Sequence, residues 1–206
     1  THYYIVRVRF AIMSLKSVLF VAILSFCAAV AYSDYGIPTS RSSEDTDPLG
    51  MRQFFPTSNE VLLNDQISRE LEASYLYESM AAYFSRPRVG LKGFAKFFSK
   101  SSDEERDHSR KFIEYVNKRG GKVNLKNIMR PTTQEWDFPI DALKAAFEKE
   151  KELNVKLMEL RNAADISKDA HLVSFIEDNF LTEQVDSIKE FREMIARLER
   201  VGTGVG

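Results

Sequence analysis

Six residues carry side chains able to bind metal or pass electrons, and their spacing ties them together: Glu70, Tyr77, Glu105, His108, Glu150 and Gln184. They interrupt otherwise apolar helical seams, near the middle of four separate segments. Glu105 and His108, three apart, project from one face of a helix. Taken singly, a seam glutamate is usually a flank residue that snorkels, and a lone histidine a satisfied one. Together the set points to a metal centre. Three carboxylates buried without partners would be very costly, and proteins avoid this by protonation, basic partners or metals. The matching seam positions supply no Lys or Arg. A pair of divalent cations would neutralise the carboxylates and take His108 as a nitrogen ligand. An oxygen-rich set with one imidazole and no thiolate suits iron or manganese better than structural zinc. Tyr77, two turns beyond Glu70, is placed to hydrogen-bond a ligand or donate an electron.

Four helical patterns must position these residues. The first opens on a capping box, Thr57 to Glu60, and runs to Phe84 through Leu63, Ile67, Glu70, Ser74, Tyr77 and Ala81. Pro87 and Gly90 end it. The second starts near Leu91 and carries Phe94, Phe98, Ser101, Glu105, His108, Phe112 and Tyr115 before Gly120 and Gly121. A long connection over 122–138 follows. The third begins at Pro139, a good first-turn residue, with Leu143, Phe147, Glu150, Leu153, Leu157 and Ala164 on its stripe. After a break at 165–169 the fourth carries Val173, Ile176, Phe180, Gln184, Ile188, Phe191, Ile195 and Leu198. Short, long and short connections predict an all-α four-helix bundle with one crossover. No strand-like alternation, repeat or low-complexity tract competes with it.

Composition narrows the partners. The chain has 206 residues, 29 Lys+Arg against 30 Asp+Glu, 44 % hydrophobic residues and one cysteine. Near-zero net charge without a basic run excludes a strongly basic nucleic-acid binder. One cysteine excludes a disulfide framework and a Cys-based zinc finger. Only 9 Gly and 6 Pro, beside 15 Phe and 8 Tyr, exclude disorder and collagen-like repeats. From Met13 the chain reads MSLKSVLFVAILSFCAAVAYSD, with a basic start at Lys16, an apolar run from Val18 to Val30, and small residues at Ala29 and Ala31. This predicts a signal peptide over 13–31, because the run is too short to span about 30 Å of hydrocarbon as a stable membrane anchor. Residues 1–12 lack Met and read as upstream or cloning-derived sequence. Cleavage after Ala31 removes Arg7, Arg9, Lys16 and Cys27, leaving 26 bases against 30 acids, a balance of −4. A secreted, cysteine-free chain of about 175 residues is expected, with a flexible polar arm over 32–56 and the helical domain over 57–201.

The segments RELEASYLY (69–77), DEERDH (103–108), NKRGG (117–121) and DAHLVSFIEDNFLTEQ (169–184) resemble the ferritins, and the resemblance covers nearly all of 57–201. It implies iron storage with a ferroxidase centre inside the bundle, where O₂ oxidises two Fe(II) and ferric mineral collects inside a protein cage. By that resemblance Glu70, Glu105 and His108 match ligands of the first iron, Glu105 also bridges, and Glu150 matches a ligand of the second. Gln184 takes the place of a group that positions the second iron and oxygen, and Tyr77 that of the supporting tyrosine. Every position of the catalytic heavy-chain type is filled. Glu104 and Asp107 resemble the cavity-facing carboxylates where mineral starts. The implied partners are iron, O₂ and other ferritin subunits, in a 24-subunit homo- or hetero-oligomeric cage.

Two departures stand out. Where the family commonly has two acids lining its three-fold channel, this chain has Ser174 and Glu177, which predicts slower or rerouted iron influx. The family's short fifth helix is missing, so 202–206 reads as a truncated tail. Two other functions fit less well. A rubrerythrin-type di-iron oxidase or peroxidase would show a second Glu-x-x-His on the fourth helix, where Gln184 is followed by Val185, Asp186 and Ser187. A non-catalytic secreted carrier or yolk-type store would lack ligands at Glu70, Glu105 or His108. His171 is expected at the surface.

Overall fold

A computed structural model of the chain describes residues 50–202. Three- and four-residue steps between seam positions become three long helices: α1 (Thr57–Phe84), α2 (Lys92–Lys118) and α3 (Pro139–Ile166). The fourth rod is composite. It consists of α4 (Ala170–Ile176), a π-helical turn (Glu177–Leu181) and α5 (Thr182–Val201). Among the described residues there is no strand, and no helix is long and apolar enough to cross a membrane. The architecture is the expected four-helix bundle with one crossover.

α1 and α2 pack antiparallel. Ser74 and Ser102 each donate a hydroxyl to the other's carbonyl at 2.8 Å. Further along, the Tyr77 ring meets Phe98, and Phe84 meets Phe94 at 5.1 Å. Two small hydroxyl residues at the crossing let the backbones approach closely while satisfying each other.

The long connection after α2 is pegged along α1 rather than left loose. Asn64 receives the Asn124 N–H at 2.6 Å and donates to the Lys122 carbonyl at 3.0 Å. At the far end of α1, Arg86 pairs with Glu135 at 2.6 Å, and the Tyr83 hydroxyl donates to the Trp136 carbonyl. The connection therefore travels the length of α1 and delivers Pro139 to the end where α1 stops. That reversal runs α3 antiparallel to α1.

The apolar core is divided in two. One cluster holds Tyr77, Met80, Phe84, Phe98, Leu143 and Phe191; the other holds Leu63, Ile67, Phe112, Leu157, Ile176 and Phe180. The polar seam residues lie in the layer between them. Burial on both sides offsets the cost of that layer, at about 1.5–3 kcal/mol for each large apolar side chain.

Two local expectations change. The capping box does not form: Thr57 is already helical, Pro56 takes the cap position, and Glu60 instead accepts the Lys122 N–H at 2.9 Å and pairs with Arg52. Long-range partners outcompete the local cap. The segment expected as an arm also ends in packed structure. Phe55 is 1 % exposed, and its ring lies edge-on to Tyr115 at 6.4 Å. Residues 1–49, which include the expected leader and most of the arm, and residues 203–206 of the expected tail lie outside the described residues.

Candidate metal centre

The polar layer is built from one residue or pair on each rod. Glu70 comes from α1, Glu105 and His108 from α2, Glu150 from α3 and Gln184 from α5. The three carboxylates are 2 %, 6 % and 2 % exposed, far below what an unpartnered charge tolerates. Among the described residues no Lys or Arg pairs with any of them. One ligand atom from each of Glu70, Glu105 and His108 lies within 4.8 Å of the others, a spacing that a single cation can bridge.

Each of these side chains is held by a neighbour. Gln66, one turn before Glu70, donates its amide to Glu70 Oε1 at 2.8 Å. Tyr77 donates its hydroxyl to Glu150 Oε1, while Gln184 Nε2 donates to Glu150 Oε2 at 2.5 Å and to the Glu150 carbonyl at 3.0 Å. His108 Nδ1 lies 3.0 Å from Glu105 Oε2. Its other nitrogen, Nε2, lies 3.2 Å from Glu183 Oε2.

Electrostatics record the crowding. Burial pushes the Glu70 carboxyl well above the usual carboxylate range, and adjacent Glu105 pushes it further. Glu105 is raised in the same way, first by burial and then by Glu150. Burial, followed by Glu150, also holds the Tyr77 phenol well above its ordinary value, so Tyr77 remains a donor. Without metal, Glu70 and Glu105 hold their protons to higher pH than ordinary carboxylates do, and divalent cations would displace those protons. Oxygen donors with one imidazole fit iron as the guest.

A cavity of about 160 Å³ opens between α2 and α5 onto Glu105, His108 and Gln184, and Lys100, Glu104, Glu183 and Glu190 stand along its walls. Glu104 pairs with Lys100 at 2.7 Å. Asp107 is exposed and paired with Arg110 at 2.7 Å, and it does not line that cavity. His171 is exposed as expected, with Nδ1 3.1 Å from the Tyr115 hydroxyl. Ser174 is exposed, and Glu177 accepts from Arg161 Nε at 2.8 Å.

Sequence reasoning missed Glu183, Gln66 and the π turn. A signal for the turn is present. Seam steps alternate four and three in the first two helices, but Ile176, Phe180, Gln184 and Ile188 make three successive steps of four. An α-helix would drift about 40° per such step, and a π turn absorbs the excess. Gln66 sits one turn before a seam glutamate, a spacing that allows side-chain pairing. Glu183 had no comparable signal.

Comparison with known proteins places this arrangement. The family described as Ferritin-like domain matches residues 60–201. The chain is 44 % identical over 155 residues to soma ferritin of Lymnaea stagnalis, covering 75 % of this chain and 89 % of that protein. It is 45 % identical over 159 residues to chloroplastic ferritin-2 of Arabidopsis thaliana and to chloroplastic ferritin-3 of Glycine max, covering 75 % of this chain and 63 % and 62 % of those proteins. The match runs through all four rods and the polar layer between them, and on that extent the chain belongs to the ferritin family.

Proposed function

We propose that this chain is an iron-storing ferritin subunit of the catalytic type, with Fe(II) and O₂ as substrates at the polar layer. The observation that carries the reading is the convergence of Glu70, Glu105 and His108 donor atoms within 4.8 Å, with Glu150 beside Glu105. Glu70, Glu105 and His108 hold the first iron. Glu105 bridges to the second, which Glu150 ligates and Gln184 positions. Each iron gives up one electron, and dioxygen takes the two electrons with two protons and leaves as hydrogen peroxide. Carboxylate oxygens favour the higher charge of Fe(III), and the buried layer keeps the two metals close enough to react together. Tyr77 holds one oxygen of Glu150, leaving that carboxylate in a fixed orientation.

The ferric product passes to a mineral inside a cage of such subunits, with Glu104 and Asp107 as weaker nucleation points. Arg161 takes up the charge of Glu177, and Ser174 offers none, so the three-fold route of this chain attracts cations weakly. The leader expected at 13–31 would send this activity to the secretory pathway.

Aerobic Fe(II) oxidation, followed by ferric absorbance, tests the reading against a Glu105→Lys/His108→Gly variant. Loss of rapid oxidation in the variant supports it; equal rates in both proteins reject the centre. Light scattering tests the cage, and a stable monomer rejects it.

A further inference from the structure

His108 has both ring nitrogens engaged by carboxylates. Glu105 Oε2 lies 3.0 Å from Nδ1, and Glu183 Oε2 lies 3.2 Å from Nε2. A neutral imidazole has one N–H and one lone pair, and only the lone pair binds metal. Glu105 belongs to the triad whose donor atoms converge, and Nδ1 is the ring nitrogen turned toward it, which puts Nδ1 on the side of the metal position. A ring proton on Nδ1, on the side of Glu105, would occupy that lone pair. Glu183 stands outside the triad and offers the proton a partner on the opposite side.

Resting on the reading of this layer as an iron-oxidising centre, we propose that Glu183 is a positioning residue: it accepts the Nε2–H of His108 and so keeps Nδ1 free to ligate metal. The π turn explains how Glu183 reaches its place. Phe180, on that turn, stacks on Phe112 at 4.2 Å and sets its ring edge-on to His108 at 5.5 Å, which fixes the imidazole plane. Glu183 and Gln184 follow at once. Neighbouring residues on a helix diverge by about 100°. Gln184 therefore turns into the bundle to Glu150, while Glu183 crosses the cavity mouth to α2. One segment thus orients a ligand on each side of the layer. Glu183 is half exposed, so it accepts the Nε2–H without adding a further buried charge to the layer.

The test compares the parent with Glu183→Gln, which keeps an oxygen acceptor and loses the charge, and Glu183→Ala, which loses both. Each protein is labelled with 15N-histidine, prepared metal-free and titrated with Zn²⁺ as the probe, and the His108 ring nitrogens are read by solid-state NMR. Parent and Gln variant are expected to bind Zn²⁺ through Nδ1 with a proton on Nε2. In the Ala variant the His108 response should move to about ten-fold higher Zn²⁺, the low end of the effect of removing a histidine's outer partner. An Ala variant matching the parent overturns the proposal. A Gln variant as weak as Ala overturns it too, because Glu183 would then act through its charge. If His108 of the parent ignores Zn²⁺ altogether, the metal centre itself is wrong, a failure visible before any variant is compared.

Discussion

Tyr77 on α1 donates its hydroxyl to Oε1 of Glu150 on α3, and Gln184 on α5 donates to the other oxygen of the same carboxylate at 2.5 Å. A buried carboxylate is thus gripped from two helices, and the aromatic ring of Tyr77 is itself wedged between Phe98 and Phe191 at 6.1 and 6.2 Å. The tyrosine joins the apolar cluster to the polar layer. Replacing it with Phe keeps the ring and leaves one oxygen of Glu150 without its donor. Tyr77→Phe is expected to destabilise the metal-free protein by about 1–3 kcal/mol in urea unfolding, the cost of an unsatisfied buried acceptor. It should also slow Fe(II) oxidation while leaving helix content unchanged.

Glu70 and Glu105 titrate well above ordinary carboxylates in the folded, metal-free protein. Below the unfolded value, about 4.3, both states are protonated and burial carries no ionic penalty. As pH rises from there towards the raised folded values, the unfolded chain loses protons first and stability falls. A Glu70→Gln/Glu105→Gln variant should therefore gain stability over the parent, by an amount that grows between pH 4.5 and neutrality. Urea unfolding across that range measures it, and a pH-independent difference would contradict the account.

The same protons must leave when a cation binds. Zn²⁺ binding to the metal-free parent should release protons, and its apparent affinity should rise with pH. Calorimetry in buffers of different ionisation enthalpy reads the proton count. The Gln double variant should release fewer.

Asp169 is buried between two demands. Its Oδ1 accepts the Leu172 N–H at 3.1 Å, capping α4, and pairs with Arg119 at 2.9 Å. Arg119 also donates to the carbonyls of Gln53 and Phe54, tying the turn before α1 to the end of α2. Asp169→Ala removes cap and counter-charge together and is expected to cost about 3–5 kcal/mol, as for other broken buried pairs. Thermal unfolding checks it.

Gly121 tests whether the residues ahead of α1 are packed. A methyl group there would lie 2.8 Å from the Phe55 ring and 3.0 Å from Val116. Gly121→Ala should destabilise by about 1–3 kcal/mol through overpacking. A neutral effect, with trypsin cutting readily after Arg52, would mean that Phe55 is not seated.

The sequence by itself determined the helices and which side of each faces inward. In α1 and α2 the alternating steps of four and three fix an inward stripe whatever the partner, and Glu70, Glu105, His108, Glu150 and Gln184 were found because they break such stripes. Chain ends of the helices followed from Pro87, Gly120 and Pro139 for equally local reasons. Tertiary structure decided what each inward residue touches. Gln66 became the holder of Glu70, and Glu60 gave up its expected cap for Arg52 and Lys122, because those partners arrive from elsewhere in the chain. Glu183 is the clearest case. Half exposed and off the stripe, it reads as an ordinary solvated acid until a π turn and the approach of α2 bring it to His108 Nε2. Periodicity reports the direction a side chain faces along its own helix, whereas the hydrogen bonds that orient a ligand depend on which other helix lies there.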